Sequence, residues 1–175
     1  MADVFISYAR EDVKFVKELH KALADRSRAS WVDWERIPKG AEWLAEIYAG
    51  IDSAEAFLFV ISPDSVTSSV CANELQHAVE RNKRLFPIVW REAERESVDN
   101  TLAKLNWIFF RDSDNFDASL RDLLTALDTD LDWVRVHTRL LVRAVEWEKQ
   151  NRETSYTLRG PNLKDAEEWS LRRGG

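Results

Sequence analysis

The sequence predicts a doubly wound α/β domain, a five-stranded parallel sheet with helices on both faces, followed by a helical extension. Short apolar runs alternate with amphipathic stretches through residues 1–130, the pattern of repeated strand–helix units. The strongest run, Ala56-Phe57-Leu58-Phe59-Val60-Ile61, is continuously apolar, which requires burial on both faces as in a central parallel strand. Beyond residue 130 the charge balance changes. Residues 131–175 carry 9 basic and 7 acidic side chains, against 16 and 24 in residues 1–130. The expected units are therefore 1–130, the sheet domain, and 131–175, a helical extension or connector.

Each element has its own signal. Val4-Phe5-Ile6-Ser7-Tyr8 is the first strand. Val13, Val16, Leu19 and Leu23 then recur at helical spacing, with Glu11 or Asp12 placed to favour or cap the helix start. Ala29–Asp33 is a second strand, and Pro38 and Gly40 break the loop after it. Trp43, Ile47 and Ile51 stripe the next helix. After the central strand, Ser62-Pro63-Asp64-Ser65 ends the run, and Cys71, Leu75 and Ala78 stripe a helix that Ser68 or Ser69 caps. Leu85–Trp90 is a fourth strand, whose Pro87 favours an edge or a strand start. Residues 91–105 form a polar connection with room for one helical turn. Trp107–Phe110 is the fifth strand, and Phe116, Leu120, Leu123, Leu124 and Leu127 make the closing helix. Together these form a flavodoxin-like architecture. Its ligands bind at the carboxyl ends of the strands, where strand order reverses, so the loops Ser7–Glu11, Trp34–Ala41 and Ser62–Ser69 are the places for a site.

In the extension, Trp133, Val136, Leu140, Leu141, Ala144 and Trp147 form one helical stripe. Residues 156–161 interrupt it, and Asn162 or Asp165 starts a last helix with Ala166 and Trp169. The end, Arg172-Arg173-Gly174-Gly175, has no obvious structural close and suggests part of a longer protein.

Composition narrows the function. A net charge of −6 argues against a general nucleic-acid binder, which needs a basic face. One cysteine excludes a disulfide framework and a Cys-rich zinc site. His20, His77 and His137 stand in no zinc spacing, and His20 is expected simply on a helix surface. No apolar run approaches the ~20 residues of a membrane span, and the N-terminus lacks a signal-peptide pattern, so a cytoplasmic location is expected. P-loop, Gly-x-Gly-x-x-Gly and Gly-x-Ser-x-Gly motifs are absent. A phosphoacceptor receiver domain needs an Asp ending its third strand and a Lys after its fifth. Here those ends are Ile61-Ser62 and Phe110-Arg111.

Three boxes in order carry a family resemblance. Val4-Phe5-Ile6-Ser7-Tyr8 with Arg10 resembles the first box of TIR (Toll/interleukin-1 receptor) domains. Residues 31–43, with Asp33, Trp34, Arg36, Ile37, Gly40 and Trp43, resemble their BB loop in its bacterial form. Phe59-Val60-Ile61-Ser62-Pro63 followed by Ser69-Val70-Cys71-Ala72-Asn73-Glu74-Leu75 is similar to the family's Ser-Pro…Ser-x-Cys-x-x-Glu-Leu box. The tail resembles, less specifically, helical connectors of multidomain bacterial proteins.

The resemblance implies an NAD⁺ glycohydrolase or cyclase, with NAD⁺ as substrate and no cofactor or metal. It would release nicotinamide with ADP-ribose or a cyclic isomer, be activated by TIR–TIR assembly, and serve bacterial antiphage immunity. The alternative is a non-enzymatic TIR scaffold for homotypic signalling. By resemblance Glu74 is the catalytic carboxylate, projecting from its helix toward the cleft. Tyr8, Arg10, Asp33, Trp34, Arg36, Trp43, Ser62 and Ser69 are the substrate-binding candidates.

Several of these have a plainer alternative. Arg10 meets a phosphate or pairs with Glu11 or Asp12. Trp43 stacks on substrate or belongs to the core. Ser62 and Ser69 bond ribose or cap. Cys71 is a small buried residue, since no His stands ready to activate it. Trp34–Trp43 would also mediate self-association, with a sensor domain or partner beyond this chain. The residue before Cys71 is Trp in many relatives and Val70 here, which bears on cyclisation.

Overall fold

The structure, a computed structural model, describes residues 3–34, 41–129 and 131–171. The chain divides into two compact units, Met1–Thr129 and Asp130–Gly175.

The first unit runs β1 (Val4–Ser7), a 3-10 turn (Arg10–Asp12), α1 (Val13–Ala24), β2 (Ser30–Trp31), α2 (Ala41–Ser53), β3 (Ala56–Ile61) and α3 (Ser69–Glu80). It continues with β4 (Arg84–Val89), a 3-10 turn (Arg95–Ser97), α4 (Asn100–Ala103), β5 (Ile108–Phe109) and α5 (Phe116–Asp128). The five strands form one parallel sheet in the order β2-β1-β3-β4-β5. Strand order reverses between β1 and β3.

Strand alternation sorts the core into two faces. Val4, Ile6, Leu58 and Val60 meet Phe15, Val16, Leu19 and Leu23 of α1, and Leu120, Leu123 and Leu127 of α5. Phe5, Phe57, Phe59 and Ile61 meet Ile47 and Ile51 of α2, and Cys71, Leu75 and Ala78 of α3. Each fully buried Val, Leu, Ile or Phe among them contributes about 1.5–3 kcal/mol relative to exposure. The same period of two has a consequence past the apolar run. Ser7 continues the face of Phe5, toward α3, whereas Ser62 continues that of Val60, toward α1.

Three local findings refine the sequence expectations. β2 and β5 are two residues each, shorter than their apolar runs. Pro87 lies in the interior of β4, paired with Phe59, rather than in an edge strand. It is accommodated because β5 pairs only with Ile88 and Val89, so β4 has a local edge at Pro87. Trp31 stacks on Phe5 at 4.7 Å and lies against Gly50, where a Cβ would come within 2.9 Å of the indole.

At the amino ends of β3 and β4, buried Lys83 donates to the carbonyls of Asp52 and Ala54, both at 2.7 Å. Burial pushes its ammonium down to about 8, against the opposing pull of Asp52. His77 bonds Asp52 at 2.8 Å and stacks on Tyr48 at 4.2 Å.

The second unit holds α6 (Leu131–Lys149), a 3-10 turn (Thr154–Tyr156) and α7 (Pro161–Leu171). α7 starts at Pro161, ahead of Asn162 and Asp165, because proline's fixed φ and missing N–H suit a first helical position. Leu140, Ala144, Trp147, Tyr156, Leu158 and Leu163 line a groove within this unit. No described helix is long and apolar enough to cross a membrane.

Candidate functional site

Two buried carboxylates stand at the carboxyl end of the sheet, one on each face. The first is Glu74 of α3, 1% exposed, whose Oε2 accepts a hydrogen bond from Ser7 Oγ at 2.5 Å. Ser7 ends β1 and is itself fully buried. Glu74 stands three residues after Cys71 and one before Leu75, on the inward side of α3. It therefore lies within the buried stripe rather than beside it, and the face-setting register of β1 supplies its donor.

The second is Asp12, 1% exposed, in the 3-10 turn after β1. Sequence pattern makes it a helix cap, but its side chain caps nothing. It accepts from Ser62 Oγ at 2.5 Å and from Arg91 Nε and Nη2 at 3.0 and 2.6 Å. Arg91 Nη2 also bonds Asp64. Donating to Asp64 and Asp12 raises the Arg91 pKa further above its ordinary value.

The sequence candidates fall into distinct environments. Tyr8 is core, 2% exposed, and its hydroxyl donates to the Asp33 carbonyl at 2.7 Å, tying the end of β1 to the segment after β2. Arg10 is exposed at the start of the 3-10 turn. Trp34 is 42% exposed, edge-on to His20 at 5.3 Å. His20 is not simply on the helix surface, since it also bonds Ser30 at 2.7 Å.

Ser62 is buried, and its one proton is committed to Asp12, while its oxygen accepts from the Ser65 amide at 3.1 Å. Ser69 is exposed, and the cap of α3 is Ser68, which accepts from the Cys71 amide at 3.3 Å. Arg36 lies outside the described residues, as does the side chain of Trp43. Cys71 is fully buried. Among the described residues no His, Cys, Asp and Glu group could hold a metal ion.

Ser7, Asp12, Arg91 and Asp64 are not among the site residues that the sequence motifs point to. One local signal exists: Ser7, the last residue of β1, and Ser62, the first after β3, are each the first polar residue to end an apolar run. A separate cavity of about 470 Å³ opens on another side of α3, lined by Phe59, Ser65, Leu75, Gln76 and Asp99 among others, and Glu74 does not line it.

A buried carboxylate held by a hydroxyl at the strand-order reversal is placed to oppose positive charge developing on a ligand, in surroundings poor in water. Comparison with known proteins agrees with the fold. The sequence matches the family model described as TIR domain over residues 4–124. The chain belongs to the TIR domain family.

Similar solved structures include the TIR domain of the Toll-related receptor TRR-2 from Hydra magnipapillata. It has 24% identity and a TM-score of 0.62, over 73% of this chain and 98% of that one. The TIR domains of the activated Roq1 resistosome have 16% identity and a TM-score of 0.59, over 73% and 99%. A TIR-STING receptor from C. gigas, in complex with 2′,3′-cGAMP, has 20% identity and a TM-score of 0.58, over 74% of this chain and 40% of that one. At these identities the likeness is one of fold. No curated protein matches the chain.

Proposed function

We propose that this chain cleaves the bond between nicotinamide and ribose in NAD⁺, with Glu74 as the catalytic carboxylate. The observation that carries this is the Ser7–Glu74 hydrogen bond at the β1/β3 reversal, in a chain of the TIR family. Nicotinamide in NAD⁺ is cationic and leaves as a neutral molecule, so no general acid is required. The ribose passes through an oxocarbenium-like state, as in glycoside hydrolysis. A single carboxylate withdrawn from water stabilises that charge and accepts from the ribose hydroxyls. Ser7 donates to Oε2 and so helps to fix the orientation of the group. Arg10, exposed three residues after Ser7, meets the pyrophosphate, and Trp34 offers an aromatic surface to adenine. Arg36, Trp43 and Ser69 complete the proposed contacts, whereas Ser62, buried and bonded to Asp12, is left out of them.

Self-association through residues 34–43 is part of the proposal. Glu74 is 1% exposed in the single chain, so substrate reaches it only after neighbouring segments move. That supports a site opened by assembly. Neighbours of similar fold described as an activated resistosome recognizing a pathogen effector and as a TIR heterodimer support such assembly and an immune-signalling setting.

The test is NAD⁺ turnover across protein concentration, with and without a crowding agent, and with products resolved by mass. Turnover rising faster than linearly with concentration is expected, and the masses distinguish ADP-ribose from a cyclic isomer. A demonstrably assembled protein that leaves NAD⁺ intact would turn the assignment to a scaffold.

A further inference from the structure

We infer that Arg91 and Asp12 are positioning residues for the NAD⁺ site, clamping together the two loops that carry it. This rests on the NAD⁺ site proposed above. Three segments meet at the clamp. The 3-10 turn after β1 carries Arg10 and ends at Asp12. The β3–α3 loop carries Ser62 and Asp64 and leads into α3 with Glu74. The residue pair just after β4 contributes Arg91.

Asp12 has three donor contacts to its buried carboxylate, from Ser62 Oγ, Arg91 Nε and Arg91 Nη2. Arg91 adds Asp64 on its outer side. The partners are 50 and 79 residues from Asp12 in sequence, so the bonds serve no local turn.

Stability is a poor reason for this arrangement. A buried ion pair recovers its desolvation cost only with good geometry, and an apolar set of similar volume often does as well. What the clamp supplies is direction. The guanidinium fork fixes angles as well as distances, so it sets where Arg10 stands relative to the start of α3. Neither Arg91 nor Asp12 has to touch the substrate. A displacement of about 1 Å in groups that bind a reacting molecule costs up to about 100-fold. A loosened clamp therefore weakens capture of the dinucleotide while the Ser7–Glu74 pair, on the other face of the sheet, stays intact.

The experiment measures NAD⁺ turnover and, in the Glu74→Gln background, NAD⁺ binding by calorimetry, for the full chain. The variants are Arg91→Met, Arg91→Lys, Asp12→Asn and the Arg91→Met/Asp12→Asn pair, each with its melting temperature. The expected result is a KM and Kd raised about tenfold or more by Arg91→Met and Asp12→Asn, with kcat changed less than about threefold. Arg91→Lys recovers part of the loss, and the double variant is no worse than the poorer single one, since both remove one contact.

If wild type cleaves NAD⁺ and the KM of every folded variant is unchanged, the clamp is only structural and the inference fails, while the proposed function stands. Loss of kcat with KM intact also overturns it. If wild type binds NAD⁺ without cleaving it, the calorimetric Kd decides in the same way. If assembled wild type neither binds nor cleaves NAD⁺, both the proposed function and the inference fall.

Discussion

Ser7 and Glu74, 67 residues apart in sequence, are joined by a 2.5 Å hydrogen bond inside the protein. The pairing follows from strand alternation. Because Phe5 faces α3, so does Ser7, and the hydroxyl that ends β1 on that face meets the carboxylate of α3. Removing the hydroxyl leaves a buried acceptor without this donor. Ser7→Ala is expected to lower unfolding free energy by about 2 kcal/mol, within the ~1–3 kcal/mol of such losses. In a Glu74→Met background the same change is expected to cost less than about 0.5 kcal/mol, because the acceptor is gone. Urea unfolding of the four proteins measures the coupling, and equal costs in both backgrounds would show that the bond contributes nothing.

Lys83 makes stability depend on pH in alkaline solution. Its pKa is lowered from 10.5 to about 8 in the folded chain by burial. The folded state gives up the proton first, so between these values the unfolded state binds more protons and stability rises with pH. The desolvation cost, on the order of 3 kcal/mol, is fully present below about pH 8 and is relieved as pH rises toward 10.5. Lys83→Met is expected to remove this rise. Unfolding free energies of both proteins from pH 7 to 10 give the difference in slope. Parallel curves would mean that Lys83 is not held charged against burial.

Gly50 is where α2 passes the indole of Trp31. A methyl group there meets Trp31 Cε2 at 2.9 Å, and the ring is stacked on Phe5 behind it. Gly50→Ala gains up to about 1 kcal/mol in helix propensity and loses about 1–3 kcal/mol to overpacking. The net expectation is a loss of about 1 kcal/mol together with altered tryptophan fluorescence. A stabilised variant would show that Trp31 gives way without cost.

Tyr8 holds the segment after β2 through the Asp33 carbonyl. Tyr8→Phe is expected to cost about 1 kcal/mol and to quicken amide exchange at Val32–Trp34 relative to β3. Unchanged exchange there would mean that the segment is held by other contacts.

The fold was legible where local pattern and burial coincide. The unbroken apolar run at Ala56–Ile61 is β3 residue for residue, and the stripes through Val16, Leu19 and Leu23 and through Leu120, Leu123 and Leu127 are core helices. The strand signal overshoots at β5 because its ladder on β4 ends at Val89, where β4 itself ends, and at β2 because its pairing stops at Trp31 although β1 runs on to Ser7. The TIR boxes located the segments of the candidate site. They did not locate its internal bonding, because Ser7–Glu74 and Asp12–Arg91 join residues 67 and 79 apart. Asp12 illustrates the limit: its position before a helix reads as a cap, whereas tertiary structure commits its carboxylate elsewhere.

The most direct measurement of the central claim is nicotinamide release by wild type and by Glu74→Gln, each verified to be folded and matched for self-association. Glu74→Gln keeps the shape of the side chain and an oxygen able to accept from Ser7, but removes the negative charge that opposes the oxocarbenium. Release by wild type that falls at least about 100-fold in Glu74→Gln is the predicted result. Equal release by the two proteins would contradict the assignment of Glu74, and with it the proposed chemistry of the site.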